Sequence, residues 1–400
     1  MVPCDMSKKR YLILTENLGK TAPGLVFERL VREIASRHEV VIVCLNDYMN
    51  DKSINILSGS CLDVHSPLTP RTQARLSKLS LSFVSDDWGA RLNAALLGKV
   101  LNEGTDSGVE FDYVFSLVSF RHTSPLLLAE RLVRQGVGKK SIAYFVDAIP
   151  APLGWSANNL EFRGLQRFSA RRIKRLDALF SSNAQMLEYQ LSFVNNAAHL
   201  CAGGLYNPIN SAKKIFPPPS KNQYNFLYAG GLYGKRTPKH LLDALKKVLK
   251  INDKVYLVFV GSNLDSQEIS ALNDVEKAHV IVKPFASDLD PYYHDAVALI
   301  DIDADMSDDV FLSSKVTNYL PVNRIILSET GKNSPASRLF GGMQSILQCA
   351  HDSDQITESM LRIINEASTA KFEDRVPLIE MFSVEAVIDQ MESLLESGGL

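Results

Sequence analysis

The sequence contains few cysteines and no long hydrophobic run. Its five cysteines, among 400 residues, are scattered and never form a C-x-x-C pair, which argues against a disulfide framework or a zinc knuckle and favours a reducing, cytoplasmic environment. The longest apolar runs, such as residues 40–45, are far shorter than the roughly 20 residues that a membrane-spanning helix needs. The polar amino terminus leaves no room for the apolar core of a signal peptide. We expect a cytoplasmic protein whose contact with the inner face of a membrane would be peripheral.

The sequence also lacks an excess of charge of either sign. It has 43 basic and 45 acidic residues, a net charge of -2, so it is not built to bind nucleic acid as a polycation. Hydrophobic residues make up 46% and charged residues 22%, the composition of a chain with proper cores. The length allows two to four domains, and two is the simplest number.

Short apolar segments alternate with longer amphipathic ones, which predicts α/β architecture with parallel sheets and helices on both faces. The predicted strands of the first half are residues 11–15, 40–45, 113–117, 141–146 and 178–181. Those of the second half are residues 225–229, 255–260, 279–282, 296–300 and 324–327. An amphipathic segment over residues 383–395 predicts a terminal helix that docks across a domain surface.

Proline and asparagine residues separate the two series of strands. The segment Asn207-Pro208-Ile209-Asn210 and the prolines at 217–219 stop helices and predict a linker. We therefore predict a first domain over residues 1–206, a linker over 207–221, a second domain over 222–380, and a terminal segment over 381–400 that packs back toward the first domain.

The most informative loop follows the predicted strand 225–229. It contains Gly230, Gly231, Tyr233, Lys235 and Arg236. In open parallel sheets ligands bind beyond the carboxyl ends of the strands, glycines allow close approach of the backbone, and two cations before a helix favour an anion site. The loop matches neither the P-loop nor G-x-G-x-x-G. The alternative is a plain glycine-rich turn with solvated bases.

A second loop, residues 308–315, begins another predicted helix. Ser313 or Ser314 can cap this helix, and Lys315 falls in its first turn, where a cation is unfavourable unless an anion is bound. Lys315 and Asn318 are three residues apart and share a face, so one could contact a phosphate and the other a sugar hydroxyl. The alternative is a solvated lysine.

Acidic residues with D-x-D spacing precede this loop: Asp301, Asp303, Asp305, Asp308 and Asp309. The EF-hand pattern fails at its glycine and at its terminal glutamate. We predict a solvated or helix-capping acidic loop and no metal.

Together the two loops resemble the nucleotide-sugar half of GT-B glycosyltransferases, especially family 4-like bacterial enzymes. Gly230 matches the glycine of the family's glycine-arginine pair, Gly231 stands where the arginine would be, and Arg236 falls at the family's lysine position. The run Ser314-Lys315-Val316-Thr317-Asn318-Tyr319-Leu320 is similar to the family's Ser-Lys-x-x-Glu-Tyr-Leu pattern, in which the lysine meets the diphosphate and the acid holds the ribose.

Departures from the family pattern favour a divergent branch. Asn318 replaces the ribose-binding acid, and the E-x7-E pair is absent because Val310 and Asn318 occupy its positions. Enzymes similar to the xanthan-pathway glucuronosyltransferase belong to such a branch.

The resemblance implies two Rossmann-like doubly wound domains that face a cleft, with a C-terminal crossover helix. It also implies a hexosyl donor that is a nucleotide diphosphate sugar, with a UDP-sugar favoured, no cofactor, and a glycan acceptor that is lipid-linked or part of a surface polysaccharide. Arg236, Lys315 and the helix amino termini would neutralise the leaving diphosphate without a metal. By analogy Phe285 would lie beside the nucleotide base; it is equally plausible as a core residue.

Four residues of the first half are candidates for the acceptor side of the site. Asp147 ends a predicted strand, suits a general base, and aligns with the base of the glucuronosyltransferase-like branch; the alternative is that it caps a proline turn. His122 is an alternative base or a donor-sugar contact, although a lone loop histidine is more often structural. Gly19 and Lys20 stand where the family has its acceptor-side glycine loop; the alternative is a flexible connection.

A basic run, residues 163–175, interleaves with apolar residues on a predicted helix and could attract an anionic membrane surface; a solvated face is the alternative. The sequence thus predicts a peripheral-membrane glycosyltransferase. Its rivals are a UDP-sugar 2-epimerase of the same fold, which needs no acceptor, and a non-catalytic nucleotide-sugar-binding subunit.

Overall fold

The computed structural model describes residues 8–49, 51–104, 109–155, 159–220, 222–264, 266–306, 309–366 and 373–398. The chain divides into two compact units. The first consists of Met1–Ile209 with Ser383–Leu400, and the second is Asn210–Phe382. We call them unit 1 and unit 2.

Unit 1 is built on a parallel sheet. Its strands are β1 (Arg10–Leu18), β2 (Glu39–Asp47), β3 (Ile56–Ser58), β4 (Phe111–Val118), β5 (Gly138–Phe145), β6 (Ala178–Ser181) and β7 (Cys201–Gly204). Its helices are α1 (Ala22–Arg37), α2 (Pro70–Val84), α3 (Trp88–Gly104), α4 (Ser124–Arg134), α5 (Asn159–Ile173), α6 (Ala184–Leu191) and the last helix of the chain, α15 (Val384–Ser397). The strand order β3-β2-β1-β4-β5-β6-β7 changes direction between β1 and β4.

Unit 2 repeats this plan. Its strands are β8 (Tyr224–Ala229), β9 (Val255–Val260), β10 (Val280–Lys283), β11 (Ala296–Ile302), β12 (Ile325–Glu329) and β13 (Ile346–Cys349). Its helices are α7 (Lys239–Val248), α8 (Ser266–Ser270), α9 (Asp274–Ala278), α10 (Asp290–Asp295), α11 (Ser314–Tyr319), α12 (Pro335–Leu339), α13 (Ser353–Glu366) and α14 (Val376–Met381). The order β10-β9-β8-β11-β12-β13 reverses between β8 and β11. Both reversals are topological switch points, where open α/β sheets bind ligands.

The predicted α/β fold with two doubly wound sheets is confirmed, and all ten predicted strands are present. The prediction missed β3, β7 and β13, short edge strands that are defined by pairing with a neighbour more than by their own composition. It also ended β1 too early. The strand continues through Leu18, so Glu16 lies in the sheet and not in the following loop.

The terminal helix α15 packs within unit 1. Ser383 caps it by accepting a hydrogen bond from the Ala386 N–H, and its buried face joins the core beside β1 and α1 through Val387, Ile388, Met391 and Leu395. Its Glu392 carboxylate lies 2.9 Å from the His38 imidazole, which makes a buried polar contact at the end of α1.

The segment after residue 209 runs along unit 2. Phe216 N–H donates to the Asn323 side chain at 2.8 Å, and the Arg324 guanidinium donates to the Pro217 carbonyl at 2.8 Å. An extended proline-rich segment has no internal hydrogen bonds, so its free carbonyls are available to such donors.

The four cysteines in the described ranges, Cys44, Cys61, Cys201 and Cys349, are free thiols, and Cys4 lies outside those ranges. No helix of the described part is both long and apolar enough to cross a membrane.

Candidate functional site

The loop after β8 turns sharply at Gly230. Its φ of +117° is a conformation that L-residues with side chains rarely adopt, and a Cβ at this position would stand 2.8 Å from Lys315 Cε. The Gly230 N–H donates to the Val260 carbonyl, and its own carbonyl accepts from the Ser262 hydroxyl. Glycine is therefore required here both by the backbone and by the neighbouring lysine.

Arg236, at the end of this loop, is folded into the unit and is only 7% exposed. Its guanidinium donates to the Tyr233 hydroxyl at 2.9 Å and lies 5.1 Å from the centre of that ring. Burial alone would lower its pKa, but Tyr233 and the Asp301 carboxyl outweigh burial and raise the pKa above its ordinary value. Lys235, by contrast, is exposed. Only one of the two predicted cations belongs to the buried cluster.

Lys315 lies in the first turn of α11, as predicted, and reaches the same cluster. Its ammonium is 5.2 Å from the ring centre of Tyr228 and 5.6 Å from that of Tyr233. Burial, followed by the nearby positive charge of Arg236, lowers its pKa to about 8. In the described part of unit 2 no carboxylate lies within ion-pair distance of Lys315. Two cations thus converge at the switch point between β8 and β11, an arrangement that suits an anion.

Two carboxyl groups underlie these cations. Asp301 and Asp303 are fully buried, and burial raises the pKa of each to about 6, with their neighbouring carboxyl groups adding to the shift and Arg236 opposing it. The Ser313 hydroxyl donates to Asp301 at 2.5 Å. Arg236 therefore lies beside two buried carboxyl groups whose pKa values are raised.

The prediction of a solvated or helix-capping acidic loop is wrong for most of this run. Asp309 is buried as well, Asp305 is exposed, and Asp308 lies outside the described residues. The strand β11 carries Asp301 into the interior, which the alternation of acidic and apolar residues did not reveal. Within the described ranges, no three His, Cys, Asp or Glu side chains are arranged to hold a metal.

The start of α11 also differs from the prediction. Ser313 is at the capping position, but its side chain makes no capping bond; its hydroxyl donates to Asp301. The Ser314 carbonyl accepts from the Asn318 amide at 2.6 Å, and Asn318 is exposed. Contact of Asn318 with a sugar hydroxyl stays a prediction.

Phe285 follows β10 and is 81% exposed, so the core alternative is wrong. It packs over Gly261, where a Cβ would stand 3.4 Å from the Phe285 Cα. Gly231 and Tyr233 are exposed in the same sheet's β8 loop. The Phe285 ring thus rests on the backbone of Gly261 and is accessible to a flat ligand.

Unit 1 has its own polar cluster, centred on a residue that the sequence interpretation did not single out. Glu16 is buried near the end of β1, and its carboxylate accepts from the Asn93 amide at 2.7 Å and the Ser124 hydroxyl at 2.7 Å. His122 Nδ1 lies 2.9 Å from the same carboxylate. The sequence signal that could have identified Glu16 is that it is the one acidic residue in β1.

Asp147 follows β5 and is partly buried. Its carboxylate accepts a hydrogen bond from the Phe120 N–H at 2.9 Å, and burial raises its pKa while this bond and His122 oppose the rise. Asp147 and His122 line the same small cavity, of about 240 Å³. The structure therefore brings the two predicted base candidates together.

The glycine loop after β1 is a closed turn. Gly19 has a φ of +75°, its N–H donates to the Gly24 carbonyl, and a Cβ at Gly24 would lie 2.3 Å from the Gly19 oxygen. Gly24 therefore serves close packing of this turn, and a contact of Gly19 and Lys20 with an acceptor stays a prediction. Lys20 is exposed with its ammonium 5.1 Å from the Tyr48 ring centre.

A larger cavity, of about 600 Å³, lies beside this cluster. Glu16, Asn93 and His122 line its polar part, and Leu68, Leu81 and Leu165 line apolar walls. Such a mixed lining suits a ligand with polar groups on an apolar body.

The basic run over residues 163–175 lies on and just after α5. Its interleaved apolar residues Leu165, Phe168, Ile173 and Leu176 are buried in the unit 1 core. Arg172 and Arg175 pair with Glu130, whereas Arg163 and Arg167 are exposed. A contact of this run with a membrane stays a prediction.

No protein-family model matches the chain, and no curated protein sequence is significantly similar to it. Solved structures do match. HepE from Anabaena, in complex with UDP-glucose, is 11% identical with a TM-score of 0.67, over 97% of this chain and 100% of that one. The lipopolysaccharide outer core galactosyltransferase WaaB is 14% identical with a TM-score of 0.65, over 97% and 99% of the two chains. TarM is 8% identical with a TM-score of 0.68, over 97% and 99%. The chain therefore has the GT-B fold, and its structural neighbours are GT-B glycosyltransferases.

Proposed function

We propose that this protein is a glycosyltransferase of a divergent family 4-like branch, which moves a hexosyl group from a nucleotide diphosphate sugar to a hydroxyl of a glycan. The observation that carries the proposal is the convergence of Arg236 and Lys315 at the unit 2 switch point. They lie beside Gly230, where the backbone has no side chain and a ligand can approach closely. Cations placed where charge develops on a leaving diphosphate lower the barrier electrostatically, as a metal would elsewhere. We accordingly propose a metal-independent transfer without a cofactor.

The donor site would comprise several elements of unit 2. Gly230, Gly231, Tyr233 and Lys235 would surround the diphosphate from the β8 loop, and the α11 side would contribute Ser313, Ser314 and Asn318. Phe285 would stack on the nucleotide base, because an aromatic ring held open to solvent on backbone offers a flat platform. We favour a UDP-sugar, since HepE was solved with UDP-glucose and also with UDP and glucose.

The acceptor would bind unit 1. Its mixed cavity of about 600 Å³ has hydroxyl-binding groups on one side and leucines on the other, which suits a sugar carried on an apolar group. Gly19 and Lys20 would approach the acceptor from the β1 loop. A lipid-linked glycan of surface polysaccharide assembly has this chemistry, and the structural neighbour WaaB is a lipopolysaccharide galactosyltransferase.

The outer face of α2 supports a peripheral membrane contact. Leu79 and Phe83 form a groove with Leu160 of α5, and Arg75 and Lys78 flank it. Leu79 is 57% exposed and Phe83 is 78% exposed. Lys78 also lines the acceptor cavity. Exposed apolar residues with basic neighbours favour anionic lipid surfaces. Arg163 and Arg167 would add charge from α5.

Donor binding is the first test. A thermal-shift screen over UDP-, GDP- and dTDP-sugars should reveal one nucleotide that raises the melting temperature, because a ligand that binds only the folded state stabilises it. Lys315→Ala should abolish most of this shift and most turnover, with the fold intact. Lys254→Ala, an exposed lysine at the amino end of β9, is the matched control. Wild-type turnover in Lys315→Ala would reject the phosphate site.

Turnover separates the proposal from its two rivals. A glycosyltransferase releases nucleotide diphosphate in proportion to added acceptor. A 2-epimerase converts its donor with no acceptor present, and a binding subunit leaves the donor intact against a whole acceptor panel. Product analysis by mass spectrometry distinguishes the three outcomes.

The stereochemical outcome bears on Asp147. If transfer inverts the anomeric centre, a base is needed on the acceptor side, and Asp147→Asn should abolish transfer if Asp147 is that base. If transfer retains configuration, the same change should be mild. NMR of the product anomer decides which case applies.

Membrane contact has a separate test. The chain should sediment with phosphatidylcholine vesicles that contain phosphatidylglycerol, and not with pure phosphatidylcholine. Leu79→Ser with Phe83→Ser should abolish sedimentation, whereas Ile251→Ser, an exposed apolar residue of unit 2, should not. Equal sedimentation of the double variant and the wild type would reject this surface.

A further inference from the structure

We propose that unit 1 has a binding site for a phosphate group in a cavity between the helices α3, α4 and α5. The site is separate from the donor and acceptor sites proposed above, and it does not rest on the glycosyltransferase function. Its ligand is a phosphomonoester, carried on a soluble molecule or on a lipid headgroup. Four arginines line the cavity: Arg91, Arg131, Arg134 and Arg172.

The cavity is small and distinct from the other cavities of unit 1. Its volume is about 190 Å³, room for about six water molecules. Short side chains at Ala94 and Ala95 of α3 leave this space open beside α4. Within the described ranges, it shares no lining residue with the cavities of about 600 and 240 Å³ on the acceptor side.

Glu130 of α4 is a carboxylate that three arginines share. Arg172 Nη1 donates to its Oε2 at 2.5 Å, and Arg175 pairs with its Oε1. Arg134 Nη2 lies 3.7 Å from the same Oε1. A single negative charge therefore faces three guanidinium groups, although it can neutralise only one of them.

A second carboxylate, Asp86, leaves the cluster with an excess of positive charge. Arg91 Nε lies 2.5 Å from Asp86 Oδ2, and Arg172 Nη2 lies 3.9 Å from Oδ1. Among the described residues, no carboxylate lies within ion-pair distance of Arg131. Five guanidinium groups thus share two carboxylates, an excess of three positive charges. Like charges held together repel each other, and a bound anion relieves the repulsion.

Gly98 of α3 makes room for Arg131. Gly98 is buried, and a Cβ at this position would stand 2.4 Å from Arg131 Nη2. The Arg131 guanidinium therefore lies against the backbone of α3, in space that a side chain at residue 98 would occupy. Glycine inside a helix is less favourable than alanine. The consequence of glycine at this position is a cation placed at the cavity.

Arg172 is the enclosed member of the cluster. Its side chain is only 12% exposed, and its guanidinium lies 5.3 Å from the ring centre of Phe168. In the described part of the chain, the buried Arg172 Nε has no hydrogen-bond partner. An arginine held on an aromatic face and by carboxylates has a fixed orientation. Arg91, Arg131 and Arg134 are exposed and are free to turn toward a ligand.

The chemistry of the cavity favours a phosphomonoester over other anions. Guanidinium groups form paired hydrogen bonds with phosphate oxygens. A phosphomonoester carries a charge of about −1.5 to −2 near pH 7, so it offsets more of the excess than a carboxylate or a phosphodiester does. A volume of about six water molecules is too small for a peptide of several residues. Ala94 and Leu127 offer apolar contact to the group that carries the phosphate.

Calorimetric titration tests the site. Inorganic phosphate and glucose 6-phosphate should bind to the wild type and also to Lys315→Ala, in which the proposed donor site has lost its cation. Glucuronate, which carries a carboxylate, should bind at least about tenfold more weakly. Arg131→Gln with Arg134→Gln should weaken phosphate binding about 100-fold, about tenfold for each lost charged hydrogen bond. Equal binding by the double variant and the wild type would overturn the site.

The matched control is Arg338→Gln with Arg362→Gln, which removes two exposed arginines from unit 2. It should leave the phosphate affinity of Lys315→Ala unchanged. A loss as large as that of the Arg131 and Arg134 variant would show that total charge, and not this cavity, determines binding. Tighter binding of polyglutamate than of glucose 6-phosphate would overturn the ligand class.

Gly98→Ala separates a ligand site from a structural role. The added methyl group should displace the flexible end of Arg131, whereas the helix gains from alanine. Phosphate affinity should therefore fall about tenfold while the midpoint of chemical denaturation rises. Unchanged affinity in this variant would overturn the placement of the ligand beside Arg131.

Vesicles distinguish the two carriers of the phosphate group. Phosphatidic acid presents phosphomonoesters, and phosphatidylglycerol presents phosphodiesters, so the two are compared in phosphatidylcholine vesicles of equal total charge. Preferential sedimentation with phosphatidic acid, lost in Arg131→Gln with Arg134→Gln, supports a lipid headgroup. Equal sedimentation together with calorimetric binding of glucose 6-phosphate supports a soluble ligand. Absence of both phosphate binding and a preference for phosphatidic acid in the wild type would overturn the proposal.

Discussion

The side chain of Lys315 lies across the backbone of Gly230, so that a Cβ at residue 230 would stand 2.8 Å from Lys315 Cε. Gly230 lies in the loop after β8 and Lys315 in the first turn of α11, 85 positions further along the sequence; the preceding strands, β8 and β11, are adjacent in the sheet. The absence of a side chain at one position is therefore what allows the cation of the other to reach the cluster.

Gly230→Ala should displace Lys315 and weaken nucleotide-sugar binding about tenfold, with a loss of stability of about 1–2 kcal/mol from the strained φ. Gly342→Ala is the control, because Gly342 also has a positive φ, +81°, but no atom within 4 Å of its Cβ position. It should lose stability without losing donor affinity. Calorimetric titration and chemical denaturation measure the two effects, and equal affinities in both variants would contradict the steric role.

Donor affinity should fall as pH rises through about 8. Lys315 has its pKa lowered to about 8, so its positive charge disappears above that pH while the diphosphate stays anionic. Lys315→Met should bind more weakly at pH 7 and show a flatter profile between pH 7 and 9.5. Calorimetric titration across this range is the measurement. A wild-type affinity that is constant up to pH 9.5 would show that Lys315 does not meet the phosphates.

Asp301→Asn should stabilise the protein at pH 8. The pKa of Asp301 is raised to about 6 in the folded state, above its ordinary value of 3.8, so folding favours the protonated form. The free energy of unfolding therefore falls as pH rises from about 4 to 6 and stays low above that range. The asparagine oxygen can still accept the Ser313 bond, and the gain should be on the order of 2 kcal/mol at pH 8.

The same comparison near pH 4 should show a much smaller difference, because Asp301 is then protonated in the folded state and about half protonated in the unfolded state. Denaturant titrations at pH 4 and pH 8 provide the measurement. A variant that is less stable than the wild type at pH 8 would mean that the ionised carboxylate, held by Arg236, is the favoured form.

Phe285→Ala should weaken nucleotide binding by about 1 kcal/mol or more, the usual contribution of stacking between a base and an aromatic side chain. Stability should hardly change, since the ring is already solvated. Ile251→Ala, which removes another exposed apolar side chain of unit 2, should affect neither quantity. Unchanged affinity of Phe285→Ala for both UDP and UDP-sugar would remove this residue from the site.

Much of the fold could be predicted from local pattern. Ten strands have clear runs of apolar and β-branched residues, and the helix over 383–395 has an apolar stripe that matches the buried face of α15. The edge strands β3, β7 and β13 were missed because pairing with a neighbour, and not their own composition, makes them strands.

The candidate site was predicted unevenly. Gly230, Arg236 and Lys315 stood in recognisable loops, and the structure brings them together. Glu16 was passed over because a single acid in a strand has no spacing to mark it, and its importance appears only when Asn93, His122 and Ser124 arrive from three other elements.

The sequence by itself determined the two sheets and the loops that carry their polar residues, because hydrophobic periodicity and glycine placement act over a few neighbouring residues. Only the tertiary structure decided which charges are buried. Asp301 appeared solvated in sequence and is enclosed, and Phe285 was as plausible in the core as outside and is exposed. Burial depends on which strands lie side by side, and the pKa of a buried group depends on neighbours that are distant along the chain.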